Sequence, residues 1–290
     1  MELYNFQNIL NDKFQCGFEI ECCIRRADNA LFEQELKKLH KGILFQYDGS
    51  IRPLGWSRKK HNSHTYSNRH NLMNLKCDQA HELLTPVLPC VEGFQLLEQI
   101  FALVAEFGYV NNSCGFHANF SPKNKKDFNK INPFWLSERP LWSEIRKTFG
   151  RNRNKYCQDV VLRKDIRENP ANVLKQKIDK SNLDNGVFFD GYRNENVTID
   201  YKHINAVSLW RYMIQLNDFK RFGKQKLVKC HWHYANCNFE NLKPIPTKDS
   251  RIEIRGFGGA DYHLRLDEII DYCDKAIGLF EESYQKQIKI

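Results

Sequence analysis

The sequence predicts an α+β fold, with a sheet of antiparallel or mixed strands and helices packed against it. Three observations carry that expectation. Segments Gly17-Phe18-Glu19-Ile20-Glu21, Cys114-Gly115-Phe116-His117-Ala118-Asn119 and Arg251-Ile252-Glu253-Ile254-Arg255 alternate polar and apolar residues with the period of a strand. Residues 91 to 106 and 266 to 284 instead place apolar residues at helical spacing. Strand and helix segments interleave with no internal repeat and no Pro/Gly/Ser linker, which predicts one domain over residues 1–290.

In chain order, residues 15 to 26 are the first strand, ending at Arg25-Arg26. Residues 29 to 39 carry Leu31, Phe32, Leu36 and Leu39 at helical spacing behind a capping Asp28 or Asn29, and Gly42 stops the helix. Residues 43 to 47 are a second strand, closed by the turn Asp48-Gly49-Ser50. Residues 55 to 76 hold Arg58, Lys59, Lys60, His61, His64, Arg69 and His70 without a period, and read as a basic loop or flap. Residues 80 to 85 are a short strand stopped by Pro86. Phe94, Leu97, Ile100, Phe101 and Val104 form the stripe of the 91–106 helix, which Gly108 ends. A strand over 115–121 and a helix over 140–149 follow. Further strands are expected near 197–199, 203–209 and 227–234, then a late strand over 250–257 and the closing 266–284 helix.

The totals bound the class. The 290 residues are 41% hydrophobic and 27% charged, a composition that folds. Forty-four Lys+Arg against 35 Asp+Glu give a net charge of +9, which favours anionic partners: nucleotides, nucleic acid or acidic small molecules. Residues 1 to 14 lack the apolar core of a secretory signal, and no apolar run approaches the roughly 18 residues of a membrane span. No membrane partner is expected. Ten cysteines without such a signal point to free thiols in a reducing, cytoplasmic setting. Adjacent Cys22 and Cys23 face opposite ways on a strand, so at least one of them is core filler.

The polar strand faces carry the candidate chemistry. Glu19 and Glu21 share a face, and hard divalent cations take oxygen ligands from such pairs. A solvent-facing acidic strand would look the same. Glu82 is a third carboxylate on an otherwise apolar strand. His117 follows Ser113-Cys114-Gly115, where small residues let a ligand approach the backbone; it suits a metal or phosphate, or a satisfied sheet histidine. Arg251 and Arg255 flank Glu253 on one face, a fork suited to phosphate oxygens or a self-neutralising ladder. The glycines after Arg255 could leave room for a nucleotide or simply turn the chain. Cys230, His231, His233 and Cys237 are four soft ligands whose spacing fits no standard zinc module. A Cys114/His117 nucleophile pair is disfavoured, because residues three apart on a strand face opposite ways.

In this order, seven features together resemble the amidoligase family of carboxylate–amine ligases. They are Gly17-Phe18-Glu19-Ile20-Glu21, Asp48-Gly49-Ser50, Glu82-Leu83-Leu84-Thr85-Pro86, Cys114-Gly115-Phe116-His117, Arg153-Asn154-Lys155-Tyr156-Cys157, Asn205 and Arg251-Ile252-Glu253-Ile254-Arg255. The resemblance implies a curved, mostly antiparallel sheet like that of glutamine synthetase or glutamate–cysteine ligase, with ATP and Mg²⁺ on its concave face. It implies metal positions at Glu19, Glu21 and Glu82, and ATP or phosphate contacts at His117, Asn119, Arg251, Arg255 and Arg153. Arg255, Glu253 and Asp48 become the catalytic candidates, Arg255 at the transferred phosphoryl group and Asp48 at the incoming amine. Where relatives often read His-x-His, this chain has Asn119 in second place. The substrates implied are a carboxylate and an amine, as small molecules or peptides.

Two other readings stand beside this one. The sheet could scaffold a basic nucleic-acid-binding protein, with Arg58 to His70, Lys123 to Lys126 and Arg146 to Lys155 tracking phosphates; a ligase acting on a nucleic-acid-linked substrate is the hybrid. Phosphoryl transfer to an acceptor other than a carboxylate is the third.

Overall fold

Strand β1 (Phe14–Ile24) is the middle of the molecule. In the computed structural model it pairs antiparallel with β6 (Gly115–Pro122) on one side and β3 (Gln79–Leu84) on the other. The structure describes residues 13–55, 78–154, 156–162, 164–173, 176, 187–190, 195–198, 206–207, 209–210, 218–221, 227–229, 235–239, 241–242 and 246–286. Beyond β3 lies β2 (Leu44–Tyr47); beyond β6 lie β13 (Ile252–Gly258) and β12 (Cys237–Asn238). The order is β12-β13-β6-β1-β3-β2, with β4 (Leu88–Pro89) and β5 (Gly108–Tyr109) added against the two ends of β1. Every pairing in this eight-stranded sheet is antiparallel, so the fold is α+β with an open antiparallel sheet.

Alternation decides what each face meets. Phe14, Cys16, Phe18, Ile20, Cys22 and Ile24 fall on one face of β1 and all are buried. Phe116, Ala118 and Phe120 of β6 and Ile252 and Ile254 of β13 continue that face. Helix α2 (Cys90–Phe107) lays Phe94, Leu97, Ile100, Phe101 and Val104 on it. Phe94 meets Phe18 edge-on at 5.0 Å, and Phe101 meets Phe116 at 5.8 Å. Helix α6 (Leu266–Ser283) adds Phe280 against Phe14 and Phe120. Each such buried ring contributes about 1.5–3 kcal/mol. Gly93 lets α2 come close: a Cβ there would sit 2.4 Å from the Cys16 sulfur.

Helix α1 (Asn29–Leu39) buries Phe32 and Leu36 beside α2. Short α3 (Pro133–Ser137) and α4 (Pro140–Thr148) both start on proline, whose missing N–H costs nothing in a first turn. Asn132 caps α3 by accepting the Trp135 N–H at 3.1 Å. Strand β7 (Val160–Val161), just ahead of α5 (Lys164–Glu168), joins β10 (Asp218–Arg221) and β11 (Leu227–Lys229) in a small sheet, and β8 (Val187–Asp190) pairs with β9 (Glu195–Thr198).

Several local expectations change. Asp28 makes no capping bond; its carboxylate accepts from Arg25 Nε at 2.7 Å. Gly108 does more than end α2: it opens β5, and a Cβ there would lie 2.2 Å from the Cys23 carbonyl oxygen. Within the strand expected over 203–209, residues 206–207 and 209 are helical, as is 210. Cys22 and Cys23 are both buried, because Tyr109 and Asn111 cover the second face at that end of β1. Every described cysteine is a free, buried thiol. The basic stretch 56–76, Asn205 and residues 230–234 of the zinc candidate lie outside the described residues. Cys237 is buried in β12 opposite Ile254. Among the described residues no helix is long and apolar enough to cross a membrane.

Candidate active site

The face of β1 opposite the core carries the predicted polar residues, and the register lines them up in rows. Gln46, Glu82 and Glu21 lie across β2, β3 and β1. Two residues along, Leu84, Glu19 and His117 lie across β3, β1 and β6. Gly17, Asn119, Glu253 and Asn238 form the next row across β1, β6, β13 and β12. This is not a solvent face. His117, Asn119, Glu253 and Arg255 are each at most 7% exposed.

One half of the face is a chain of alternating charge. Arg255 Nη1 donates to Glu253 Oε1 at 2.5 Å, and Asn238 Nδ2 donates to Glu253 Oε2 at 2.8 Å. His117 Nδ1 lies 3.3 Å from Glu253 and 2.9 Å from Glu19. Asn119 donates Nδ2 to Glu19 at 3.2 Å and accepts Arg251 Nε on Oδ1 at 2.9 Å. An amide serves both neighbours here, which gives Asn119 a role where the second histidine of His-x-His would stand. Burial alone would push the Glu19 carboxyl up. The His117 hydrogen bond and the charges of His117, Arg251 and Arg255 outweigh it and hold the group down at about 2.

The other half lacks that compensation. Glu21, Asp48 and Glu82 offer oxygens that all lie within 4.8 Å of one another. Glu21 accepts the Gly115 N–H at 2.6 Å, Glu82 accepts Gln46 Nε2 at 2.5 Å, and Asp48 accepts the Ser50 N–H at 2.6 Å. Among the described residues none of the three is ion-paired. Burial, with the Asp48 charge, raises the Glu21 carboxyl against the opposing pull of the His117 and Arg151 charges and the Gly115 hydrogen bond; burial and the charges of Glu19, Asp48 and Glu21 outweigh the Gln46 hydrogen bond and raise that of Glu82. Three crowded carboxylates without a cation are the donor set that a hard divalent ion takes. Glu19, His117 and Glu253 also present ligand atoms within 4.8 Å of one another. The three expected metal residues are therefore divided, Glu21 and Glu82 going with Asp48 and Glu19 going with His117.

Sequence reasoning missed some residues here. Arg153 is exposed on the turn after α4, whereas Arg151 is buried. Arg151 Nη1 donates to the Cys114 carbonyl at 2.8 Å, and its charge favours the ionised Glu21. Two arginines two residues apart gave no basis for choosing between them. Asn238 had a signal, lying between buried Cys237 and Phe239 on a strand. The glycines after Arg255 make room for protein groups. A Cβ on Gly256 would meet Asn236 Oδ1 at 2.4 Å, and one on Gly258 would meet Arg151 Nη1 at 2.4 Å. Gly115 likewise leaves space for the Glu21 carboxylate. Cys114 is buried against Asn111, 3.5 Å from its N–H. The tract 146–155, a candidate phosphate track, turns Arg146 and Arg151 inward.

Fold and site together define an α+β protein with two carboxylate-rich ligand sets and flanking arginines on one face of an antiparallel sheet. A family model described as "Putative amidoligase enzyme" matches residues 45–225, and the chain belongs to that family, one of ligating enzymes. The matched span contains Asp48, Glu82, His117 and Asn119; β1 and β13 lie outside it. Neither the curated proteins nor the solved structures gave a match.

Proposed function

We propose that this protein is an ATP- and Mg²⁺-dependent carboxylate–amine ligase, built as one catalytic domain on a glutamine-synthetase-like sheet. The observation that carries the reading is the division of five acids into an oxygen set without an ion pair among the described residues and an arginine- and histidine-flanked set on one sheet face, in a member of an amidoligase family.

In this reading the substrate carboxylate attacks the γ-phosphorus of ATP, ADP leaves, and an amine then displaces phosphate from the acyl phosphate. Such transfers depend on positioning and charge neutralisation more than on covalent help. Mg²⁺, when bound, neutralises phosphate charge. Glu21, Asp48 and Glu82 would hold it, and Glu19, His117 and Glu253 could hold a second ion. Asp48, the candidate at the incoming amine, also lies within reach of the oxygen set. Arg255 neutralises the transferred phosphoryl group. Glu253 fixes that guanidinium through its 2.5 Å bond, and Arg251 and Asn119 continue the phosphate-facing side.

The test supplies the full chain with ATP, Mg²⁺, a panel of carboxylates and hydroxylamine as a trapping amine. ADP release coupled to hydroxamate formation supports the reading. Unchanged rates in Glu19→Gln and Arg255→Ala would remove this site assignment, and a stable phosphorylated product would replace ligation by phosphoryl transfer.

A further inference from the structure

Resting on that reading, we infer that a buried network of Arg146, Asp159 and Asn236 is the positioning device for Arg255. Arg255 does not sit in regular strand. Ile254 pairs with Ala118 and Phe257 with Phe116, so Arg255 and Gly256 together oppose His117 in a bulge. A bulge re-aims a side chain and leaves a backbone group without its ladder partner. On the other edge of β13 the Arg255 N–H donates to the Asn236 carbonyl at 2.7 Å, continuing the register in which Cys237 pairs with Ile254.

Asn236 is 1% exposed and fixed from three sides. Its N–H donates to the Gln158 carbonyl at 2.8 Å, and its Nδ2 donates to the Trp142 carbonyl and, at 3.3 Å, to Asp159 Oδ1. Asp159 Oδ2 accepts Arg146 Nη2 at 2.6 Å, and Arg146 Nη1 reaches the Cys157 carbonyl at 3.5 Å. The same loop touches Arg255 directly, because the Tyr156 carbonyl accepts Arg255 Nε at 3.3 Å. Backbone and guanidinium of Arg255 are thus both referred to one segment, 156–159, which Arg146 ties to α4. Gly256 completes the seat, since its missing Cβ leaves space for Asn236 Oδ1 and Ile145.

Among the described residues no hydrogen bond joins Arg146, Asp159 or Asn236 to the carboxylates on the sheet face, so they are positioning residues. A buried ion pair is seldom the most stabilising filling for such a space, so its use lies in geometry. Without it the bulge can relax toward regular pairing, and a slip of one residue sends a side chain to the opposite face.

The test compares Asn236→Ala and the shape-conserving Asp159→Asn with Arg255→Ala and the double variants. Crystal structures report the Arg255–Glu253 contact, steady-state kinetics separate kcat from KM for ATP, and melting temperature monitors folding. The expected result is Arg255 withdrawn from Glu253 and a kcat lowered by roughly ten- to a hundredfold. In the Arg255→Ala background the same changes should have little further effect. Arg255 held in place in folded Asn236→Ala and Asp159→Asn, or additive kinetic losses, overturns the inference. Arg255 displaced with turnover unchanged instead overturns the role of Arg255 in ligation. If Asn236→Ala fails to fold, Asp159→Asn alone decides.

Discussion

Removing one carboxylate from the Glu21–Asp48–Glu82 set should make the metal-free protein more stable. Three oxygens within 4.8 Å repel one another by about 3 kcal/mol per fully ionised pair at an effective dielectric constant of about 20. Glu21→Gln removes two such pairs while its amide oxygen still accepts the Gly115 N–H. Part of the repulsion is already relieved, because the carboxyls of Glu21 and Glu82 are raised and take up protons more readily. A net gain of roughly 1–2 kcal/mol is expected, about 2–3 °C in Tm for a chain of this size. The sign follows from linkage. A raised folded-state carboxyl contributes stability below its unfolded value, and that stability is lost as pH rises through the folded value. The gain should therefore be larger at pH 8 than at pH 5. Saturating Mg²⁺, at about a hundred times Kd, should add about 2.7 kcal/mol to the wild type and below about 1 kcal/mol to the variant. Differential scanning calorimetry with EDTA or Mg²⁺ measures both numbers. A variant that is less stable than wild type in EDTA at pH 8, with an unchanged Mg²⁺ increment, would refute the reasoning.

Glu19 should behave in the opposite way. Its drop from 4.5 to about 2 corresponds to at most about 3 kcal/mol, present above pH 4.5 and lost as pH falls toward 2; urea titrations at pH 3 and 7 should show a smaller difference in Glu19→Gln than in wild type. Gly258 has φ +119°, and a Cβ would strike Arg151, so Gly258→Ala should cost about 1–3 kcal/mol and lower turnover together. Gly93→Ala forces α2 off the Cys16 sulfur and should cost about 1–3 kcal/mol in denaturant titrations, with kcat retained in the folded fraction.

Alternation made the strands legible, and with them the choice of face: Glu19, His117, Asn119 and Glu253 share one side of the sheet. Register was not legible. That Glu21 stands opposite Glu82 while Glu19 stands opposite His117 depends on how β3 and β6 slide against β1, and a period-2 pattern is silent on slips of two. Asp48 was visible as a turn residue, but its approach to Glu21 is set by where β2 ends. Arg151 was hidden for another reason. Its burial comes from a turn after α4 and from the missing side chain of Gly258, neither of which leaves a periodic mark. The bulge at Arg255 is equally silent in sequence, because it arises from how β13 pairs with distant β6.

The central place of β1 has a consequence for how the protein is made. Glu19 meets His117 across 98 residues, Glu21 meets Gly115 across 94, and Arg251 meets Asn119 across 132. Contacts of such span form late and slowly, because loop closure must precede the pairing that rewards it. A chain emerging from the ribosome has its first acidic strand more than two hundred residues before β13 is available. Until then Glu19 lacks the charges of Arg251 and Arg255 that hold its carboxyl down. If the proposed ligation is right, termination before β13 should yield chains with no partial activity.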